Sequence, residues 1–428
     1  MCLFFMNSIK SSFYCCFDIM DIKQKGFDMK KVFFVLCIIL VVLIIAWLII
    51  QLSRRTMTSP TGEYRASNSD TEIVIYDIGD LEKRAGQVIP NGGFDYIRGG
   101  AETEKTMRRN TLAFDSVDIY PRVLTGVENP NIRTSILGID ISMPVIVAPA
   151  AAHGLAHVSA EAGSAHGAAV AGTIMSVSTY ASSALADIAL AGHGAPQWFQ
   201  LYLSKDEQAN RTLIRQAEAL GYRAVILTVD APVGGNRVRD LRNKFKFPLD
   251  LPNVPKKSGP TKGRGIGDIF AAAKNDMIPY DIMWVKSETR LPVIVKGIMH
   301  PDDAEIAILA GADAIWVSNH GGRQLDGAPA AFDVLPEIAR RVNKRVPIIF
   351  DSGIRRGQHI FKAIASGADV VAIGRPVIYG LALGGWRGVV SVLDYLKNDL
   401  RRVMTLAGTQ TIEDIKQVKL RPRCVQIQ

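Results

Sequence analysis

The stretch "PIIFDSGIRRGQHIFKAIASGADVVAIGRP", Pro347–Pro376, contains two short apolar runs separated by a segment of helical length. Each run is continuously apolar rather than alternating, which is typical of parallel strands buried on both faces. Polar residues, glycine and arginine follow each run, and the segment between the runs closes on glycine, a helix-stop signal. The stretch therefore predicts a strand–helix–strand unit of a parallel sheet.

The same unit recurs upstream of this stretch. The apolar runs are Pro144–Ala150, Thr173–Ser178, Trp198–Leu203, Ala224–Asp230, Pro292–Gly297, Ala314–Gly321, Pro347–Gly353 and Val370–Pro376. Eight strand–helix units in roughly 250 residues predict an α/β fold, a (β/α)8 TIM barrel. A doubly wound open sheet is the alternative. It would concentrate polar residues at one crevice, whereas here they follow every run.

The composition argues against several other classes of protein. The chain has 428 residues, 48% hydrophobic and 21% charged, so it can bury a full core. The net charge of +9 is scattered, with no basic run interleaved with aromatic residues, and we expect no nucleic-acid binding. The 5 cysteines lie at or before Cys37 or at Cys424, so the predicted barrel contains neither a disulfide framework nor a thiolate metal site.

An apolar segment near the N-terminus predicts a membrane anchor. The run "VFFVLCIILVVLIIAWLII", Val32–Ile50, is uncharged and at about 1.5 Å per residue nearly spans a hydrocarbon core of about 30 Å. A cleaved signal peptide or a buried helix is the alternative, but a signal peptide has a shorter apolar region that ends at small residues. We expect an extension over 1–31, a single-pass transmembrane anchor over 32–52, a polar linker over 53–72 and the barrel domain over 73–428. Both flanks are basic, so the orientation stays open.

The ends of the last two strands predict an anion site. "DSGIRRG" and "GRP" supply glycines whose backbone N–H groups can approach a phosphate, and arginines that add charge-assisted hydrogen bonds. Barrels commonly bind phosphate after strands seven and eight. The alternative is a pair of tight turns with surface arginines.

The ends of the second to fifth strands predict a site for a flat heterocycle. Ser178, Gln200 and Thr228 are uncharged and can donate or accept hydrogen bonds, while Lys296 supplies a cation. A cation beside a conjugated ring stabilises the negative charge that develops on reduction. Together with a phosphate site, this lining suggests flavin mononucleotide (FMN). The alternative is that polar strand ends merely hydrate the rim.

His320, in "SNHGGRQLDGAP", follows the sixth strand and is a candidate general base. An imidazole has an ordinary pKa near about 6.5, which suits proton abstraction at neutral pH. Asp230 ends the fourth strand and would raise this pKa if it pairs with His320. The groups that could bind the substrate are Arg237, Arg323, Tyr96 and Tyr202.

His153 and His157 form a second histidine pair. They are four residues apart and could face the same way on a helix. No acidic partner lies nearby at a fixed spacing, so we expect a structural role and no metal site.

The rim motifs resemble those of the FMN-dependent L-2-hydroxy acid oxidising enzymes. Three stretches carry the resemblance, which covers about Tyr76–Ile412: "LTVDAPVGGNRVRD", "SNHGGRQLDGAP" and "DSGIRRGQHIFKAIASGADVVAIGRP". Three others, "APAAAHGLAH", "GTIMSVSTYAS" and "LALGGWRGVVSVLDYL", are most similar to the L-lactate oxidases of that family. The resemblance implies FMN as the cofactor and a short L-2-hydroxy acid as the substrate.

The resemblance also implies roles for individual residues. His320 would be the catalytic base and Asp230 its partner. The substrate would be bound by Tyr96, Tyr180, Tyr202, Arg237 and Arg323. FMN would be held by Pro149, Ala150, Ala151, Ser178, Gln200, Thr228, Lys296, Ser318, Asp351, Ser352, Gly353, Ile354, Arg355, Gly374 and Arg375. A non-catalytic sensor on the same barrel would be expected to have lost some of these residues, and none is missing.

Two positions bear on the substrate and the electron acceptor. In the family, alanine at position 151 accompanies oxidases and dehydrogenases, and Tyr180 is shared with lactate oxidases. Phe247 and Phe270, in the variable lid after the fourth strand, stand where those enzymes carry tyrosines.

We expect oxygen as the acceptor, giving hydrogen peroxide; a membrane quinone or cytochrome is the alternative that the anchor favours. The resemblance further implies a homotetramer.

Overall fold

The chain forms two compact units, Met1–Thr56 and Met57–Gln428, in the computed structural model. The structure describes residues 33–34, 36–44, 64–254 and 259–423. In the first unit, residues 33–34 and 36–44 are helical and their large apolar side chains are exposed. The rest of the predicted anchor, the whole of the predicted extension over 1–31 and residues 53–63 of the predicted linker lie outside the described residues.

In the second unit, parallel strands close into an eight-stranded barrel. They are β1 (Val145–Val147), β2 (Met175–Ser178), β3 (Gln197–Leu201), β4 (Val225–Thr228), β5 (Val293–Ile298), β6 (Ala314–Val317), β7 (Ile348–Phe350) and β8 (Val370–Ile373). The strands pair in chain order, and β8 returns to β1, with Val371 opposite Val145. Each strand overlaps one predicted run. The TIM barrel is therefore confirmed, and the open sheet is wrong.

Alternate residues of the strands point into the barrel, where an apolar layer fills the axis. This layer includes Ile146, Ile174, Trp198, Ile226, Ile294, Trp316, Ile349 and Val370. A hairpin of the antiparallel strands Thr134–Ile136 and Ile139–Ile141 adds Ile136 and Ile141 to the same cluster and so closes one end of the axis. The outward face of the strands packs against the helices in a larger cluster.

Helices precede and surround the barrel. Before it come α1 (Ile78–Val88), α2 (Asn91–Arg98), α3 (Lys105–Leu112) and the short 3-10 helix Ala113–Ser116. After successive strands come α4 (Ala160–Val170), α5 (Leu185–Ala191), α6 (Glu207–Ala219), α7 (Val238–Arg242), α8 (Ile266–Phe270), α9 (Pro279–Glu288), α10 (Pro301–Leu309), α11 (Ala331–Val342), α12 (Gly357–Ala365), α13 (Arg375–Ala407) and α14 (Ile412–Lys416). Helices α7, α8 and α9 lie in the long connection between β4 and β5, which contains the lid. A short antiparallel pair joins Val117–Asp118, which precedes the barrel, to Arg421–Pro422 near the C-terminus.

Residues 64–73 form an ordered strap across the second unit, although the sequence predicts a linker as far as residue 72. The hydroxyl of Tyr64 donates to the carbonyl of Leu155 at 2.7 Å. The amide of Thr71 donates to the carbonyl of Gly384 at 3.2 Å, where α13 loses its helical geometry. The compact unit therefore includes residues before position 73.

Helix α13 is the one described helix that is long and apolar enough to cross a membrane. Its most apolar window is 72% buried, and it packs against α4, α12 and α1. Length and composition alone do not distinguish a membrane-spanning helix from a buried core helix. The burial and the contacts of α13 are those of a core helix.

Candidate active site

The rim of the barrel is polar. On five strands, the inward-pointing residue of the apolar layer is followed two positions later by an inward-pointing polar residue. The steps are Trp198 to Gln200, Ile226 to Thr228, Ile294 to Lys296, Trp316 to Ser318 and Ile349 to Asp351. Side chains alternate with a period of two along a strand, so each polar residue stands directly above its apolar predecessor.

A pocket opens above this polar layer. The predicted site residues that line it are Tyr96, Pro149, Ala150, Ala151, Ser178, Tyr180, Tyr202, Arg237, Lys296, His320, Arg323, Asp351, Ser352, Gly353, Ile354, Arg355, Gly374 and Arg375. The remaining predicted residues, Gln200, Thr228, Asp230 and Ser318, do not line the pocket but are hydrogen-bonded to lining residues or to one another. The structure thus brings the whole predicted set together.

His320 lies in the pocket with Asp230 behind it. Its Nδ1 donates to Oδ1 of Asp230 at 2.8 Å, and this bond fixes the tautomer in which Nε2 is free to accept a proton. Nε2 lies 3.3 Å from the hydroxyl of Tyr202. His320 and Gly321–Gly322 have φ of +58°, +66° and +72°. This left-handed backbone, which glycine adopts without steric cost, turns the chain sharply after β6 and holds the imidazole at the rim.

The pKa values of this pair favour a neutral imidazole beside an ionised carboxylate. Burial lowers the pKa of His320; Asp230 raises it, and Lys296 lowers it further. The predicted effect of Asp230 is therefore right in sign, but the net shift is downward because burial outweighs it. Burial raises the pKa of Asp230, yet the electrostatic interaction and hydrogen bond with His320, together with the charge of Lys296, hold that pKa below its ordinary value. A general base must be unprotonated before it acts, which this arrangement provides.

Two arginines flank Tyr96 at one edge of the pocket. The Cζ atoms of Arg237 and Arg323 lie 5.5 Å and 5.0 Å from the centroid of the Tyr96 ring. Nη1 of Arg323 donates to the carbonyls of Tyr96 at 2.7 Å and Gly99 at 2.8 Å. Burial lowers the pKa of Arg323 to about 9, which leaves it charged at neutral pH.

Arg237 is the group at this edge that is best placed to bind an anion. It is only 6% exposed, and its Nε and Nη1 have no hydrogen-bond partner among the described residues. A buried charged donor without a partner is costly. A carboxylate can accept a charge-assisted hydrogen bond from such a donor, and this edge is therefore complementary to a carboxylate.

Aromatic side chains form one wall of the pocket. The rings of Tyr180 and Tyr202 stack with centroids 4.8 Å apart, and Phe270 of α8 packs edge-on against them at 5.3 Å and 5.5 Å. Burial raises the pKa of both tyrosines, so their hydroxyls stay protonated. Of the two lid phenylalanines noted in the sequence, Phe270 lines the pocket, whereas Phe247 packs edge-on against Tyr96 with a centroid distance of 5.0 Å.

The polar layer contains two hydrogen-bonded groups. In the first, the hydroxyl of Ser178 donates to Oε1 of Gln200 at 3.0 Å, and Nε2 of Gln200 donates to the hydroxyl of Thr228 at 3.0 Å. This group offers uncharged donors and acceptors, the kind of lining expected at the edge of a heterocycle.

The second group surrounds the ammonium of Lys296, which is buried. Its Nζ donates to the hydroxyl of Ser318 at 3.2 Å, and Ser318 donates to Oδ1 of Asp351 at 2.7 Å. The other oxygen of Asp351 accepts from Nε1 of Trp316 at 3.0 Å and lies 3.8 Å from Nζ of Lys296. The cation is therefore fixed in place at the rim.

Backbone geometry at the ends of β7 and β8 fits a phosphate. Ser352 and Gly353 have φ of +82° and +98°, and a Cβ at Gly353 would collide with the carbonyl oxygen of Asn110. Gly374 caps α13, whose first amides and positive dipole end lie at the same rim. With the heterocycle lining and the Lys296 cation, these residues fit FMN.

The two arginines that were predicted to bind the phosphate donate hydrogen bonds to backbone carbonyls in the structure. Arg375 lines the pocket, but its guanidinium donates to the carbonyls of Gly99 at 2.9 Å and Gly321 at 3.1 Å. Nη1 of Arg355 donates to the carbonyl of Ile354 at 2.8 Å. The backbone amides at this end of the pocket are therefore the groups most directly arranged for an anion, and the phosphate contacts of both side chains stay predictions.

A buried amide pair that supports the His320 loop was not predicted from the sequence. Nδ2 of Asn110 donates to Oδ1 of Asn319 at 2.8 Å, and Nδ2 of Asn319 donates back to Oδ1 of Asn110 at 2.6 Å. The same Oδ1 of Asn319 accepts from the amide of Gly322 at 3.1 Å. The one available signal was that Asn319 precedes His320; no local pattern marks Asn110.

His153 and His157 make structural contacts, although they do not share a helix. His153 begins the 3-10 helix His153–Leu155, and its Nδ1 lies 2.8 Å from the hydroxyl of Ser164. Nε2 of His157 lies 3.0 Å from the carbonyl of Ser69 in the strap. In the part of the chain that the structure describes, no group of three or more histidine, cysteine or acidic residues could hold a metal ion.

Three features together are typical of one class of enzyme: backbone suited to a phosphate after β7 and β8, a buried base, and a guanidinium with two nitrogens that lack partners among the described residues. It is the class of barrel oxidoreductases that hold a phosphorylated flavin and act on small organic acids. The chain belongs to the FMN-dependent dehydrogenase family, whose sequence model matches residues 85–422. It is accordingly an FMN-dependent oxidoreductase.

Characterised relatives and solved structures agree with this assignment. The chain is 51% identical over 358 residues to an L-lactate oxidase of Lentilactobacillus hilgardii, covering 83% of this chain and 97% of that protein. It is 40% identical over 354 residues to human 2-hydroxyacid oxidase 1, covering 80% and 96%. A crystal structure described as a lactate oxidase of Pediococcus acidilactici superposes with a TM-score of 0.81 at 52% identity, covering 84% and 98%. A mandelate oxidase structure gives 0.78 at 36% identity, covering 82% and 100%.

Proposed function

We propose that the enzyme oxidises L-lactate, or a similar short L-2-hydroxy acid, to the 2-oxo acid, with oxygen as the electron acceptor and hydrogen peroxide as the second product. The observation that carries the proposal is the juxtaposition of two groups in one pocket. Nε2 of His320 is free to accept a proton, and the buried guanidinium of Arg237 has two nitrogens without partners among the described residues.

The geometry assigns a task to each of these side chains. The substrate carboxylate binds Arg237, with the charge of Arg323 close by, which fixes the acid at one end. Its other end then lies against His320 and Tyr202. Nε2 of His320 accepts one of the two protons that the substrate loses, and the Asp230 carboxylate stabilises the imidazolium that forms. The protonated hydroxyl of Tyr202, 3.3 Å from Nε2, can donate a hydrogen bond to the substrate oxygen.

FMN, when bound, would supply the two-electron redox chemistry that links oxidation of the substrate to reduction of oxygen, which with two protons gives hydrogen peroxide. Lys296 supplies the fixed positive charge that favours the reduced cofactor. Ser178, Gln200 and Thr228 would hold the heterocycle, and the amides near Gly353 and Gly374 would hold the phosphate.

A small substrate side chain is supported by the aromatic wall. Tyr180 and Phe270 are both buried and pack edge-on with centroids 5.3 Å apart, beside Ala151. A methyl group fits such a wall with little rearrangement, whereas a phenyl group would have to displace one of the two rings.

A quinone or cytochrome is the second candidate acceptor, and the N-terminal segment favours it. Residues 36–44 are helical with exposed apolar side chains, and the uncharged run containing them is nearly long enough to span a bilayer. On this proposal the enzyme is a single-pass membrane protein and oxygen is replaced by an acceptor in or at the membrane.

Anaerobic reduction followed by exposure to air tests both candidates. The purified protein is mixed with L-lactate, D-lactate, glycolate or mandelate without oxygen, and bleaching of the flavin absorbance is recorded. We expect L-lactate to bleach the flavin and air to restore it, with equal amounts of pyruvate and peroxide. A flavin that stays bleached in air but recovers with a quinone analogue identifies the second candidate. A colourless protein that takes up no FMN contradicts both.

A further inference from the structure

Gln324, in the loop after β6, makes three hydrogen bonds to the loop after β4. Its Nε2 donates to the carbonyl of Asp230 at 3.1 Å and to the carbonyl of Val233 at 2.9 Å. Its Oε1 accepts from the amide of Gly235 at 3.1 Å. Both hydrogens and the oxygen of one amide are therefore used on a single neighbouring loop.

The two loops that Gln324 joins carry the reacting groups of the site. The loop after β6 carries His320 and Arg323, and the loop after β4 carries Asp230 and Arg237. The loops also touch directly, because a Cβ on Gly235 would collide with the carbonyl oxygen of Arg323. The Nδ1–Oδ1 bond between His320 and Asp230 depends on how these two loops are aligned.

A primary amide is the side-chain group that suits this position. It offers two N–H donors and an acceptor in one plane, which matches two carbonyls and one N–H group. An ionised carboxylate would keep the bond from Gly235 but would place negative oxygen against the carbonyls of Asp230 and Val233. A leucine of similar volume would leave three backbone groups without this partner.

We propose that Gln324 is a positioning residue for the oxidation: it aligns the Asp230 loop with the His320 loop and so sets both the proton-accepting pair and the spacing of the two arginines. The amide touches neither the substrate pocket nor the predicted flavin ligands at the ends of β7 and β8. Its loss therefore acts on turnover and substrate binding through the loop alignment, and leaves cofactor binding unchanged.

The variants Gln324→Leu and Gln324→Glu test the proposal in the full-length, FMN-loaded enzyme. Leu325→Ala is the matched control, because Leu325 is the next residue in the loop and is 71% exposed. With L-lactate, we expect kcat of Gln324→Leu to fall at least about tenfold and KM to rise, since displacements of about 1 Å are costly in catalysis. The FMN dissociation constant should stay within about twofold of wild type, and Leu325→Ala should behave as wild type.

The pH profile separates positioning from a general loss of structure. The acidic limb of kcat/KM reports the pKa of the base in the free enzyme. Asp230 raises the pKa of His320, so a misaligned Asp230 lets that pKa fall, and the limb should move to lower pH in Gln324→Leu. In Gln324→Glu, protonation restores one donor, so its kcat should recover relative to Gln324→Leu as the pH is lowered. Three results overturn the proposal: wild-type kcat in Gln324→Leu, a reduced kcat with an unmoved limb in both variants, or a folded Gln324→Leu that no longer binds FMN. If Gln324→Leu does not fold, the profile of Gln324→Glu decides.

Discussion

Replacing Asp230 by asparagine tests whether the buried carboxylate supports the base. The variant keeps the size of the side chain but removes its charge, 2.8 Å from Nδ1 of His320. If the amide oxygen faces His320, it can still accept from Nδ1, but the imidazolium that forms on proton transfer loses its counter-charge. If the amide nitrogen faces His320, it stabilises the tautomer with a protonated Nε2, which cannot act as a base.

The size of the effect follows from the geometry of the pair. A hydrogen bond to a charged group contributes about 1.5 to 3 kcal/mol. Two unit charges about 4 Å apart at an effective dielectric constant of about 20 interact by about 4 kcal/mol. At about 1.4 kcal/mol per factor of ten in rate, kcat should fall between about tenfold and about a thousandfold. Because Asp230 does not line the pocket, KM should change much less.

The direction of the pH shift is also fixed. Burial lowers the pKa of His320 and Asp230 raises it, so removing the charge of Asp230 lowers that pKa further. Stopped-flow measurement of flavin reduction by L-lactate as a function of pH should show an acidic limb at lower pH and a lower plateau. Asp276→Asn, an exposed carboxylate in the same β4–β5 connection, is the control and should match wild type. An unchanged plateau, or a limb that moves to higher pH, would refute the assigned role of Asp230.

Other substitutions and a truncation test the remaining parts of the site. His320→Gln should leave FMN bound and lower kcat by about a hundredfold or more, because no base replaces the imidazole; normal turnover would show that another group is the base. Arg323→Lys should raise the KM for L-lactate by about tenfold with a smaller change in kcat, since a point charge replaces a planar fork; an unchanged KM counts against the carboxylate role. Gly353→Ala should weaken FMN binding, measured by fluorescence titration, because the new Cβ meets Asn110 at a φ of +98°; full affinity would exclude the proposed phosphate cradle. Deleting residues 1–56 should move the enzyme from the membrane to the supernatant fraction on centrifugation without changing kcat; retention in the membrane fraction would contradict the proposed anchor.

The barrel and most of its rim could be predicted because both follow from local alternation along single strands. A run such as Val225–Thr228 shows its buried character and its polar end within four residues. The pKa of His320 could not be predicted in the same way, because its net shift depends on how deeply the tertiary structure buries the ring. Contacts between distant loops could not be predicted from the sequence for the same reason. Asn110 and Asn319 are 209 positions apart, and neither lies in a pattern that predicts the other.

The described part of the predicted linker makes contacts that its composition does not indicate. The polar composition of residues 53–72 is typical of a linker. Its described part is held instead by backbone and hydroxyl hydrogen bonds, such as that from Tyr64 to the carbonyl of Leu155, which composition does not reveal.

The tryptophan-filled axis of the barrel has a consequence for gas supply. Trp198 and Trp316 occupy the axis, and Ile136 and Ile141 of the hairpin pack at its far end, so buried side chains fill the axis below the pocket. On the proposal that oxygen is the acceptor, the open mouth that admits the hydroxy acid is also the direct way in for oxygen, and a pyruvate molecule still bound there would hinder it. Reoxidation of the flavin and release of the product then use the same opening of the pocket. Product release, rather than proton transfer, can therefore limit the rate of the catalytic cycle.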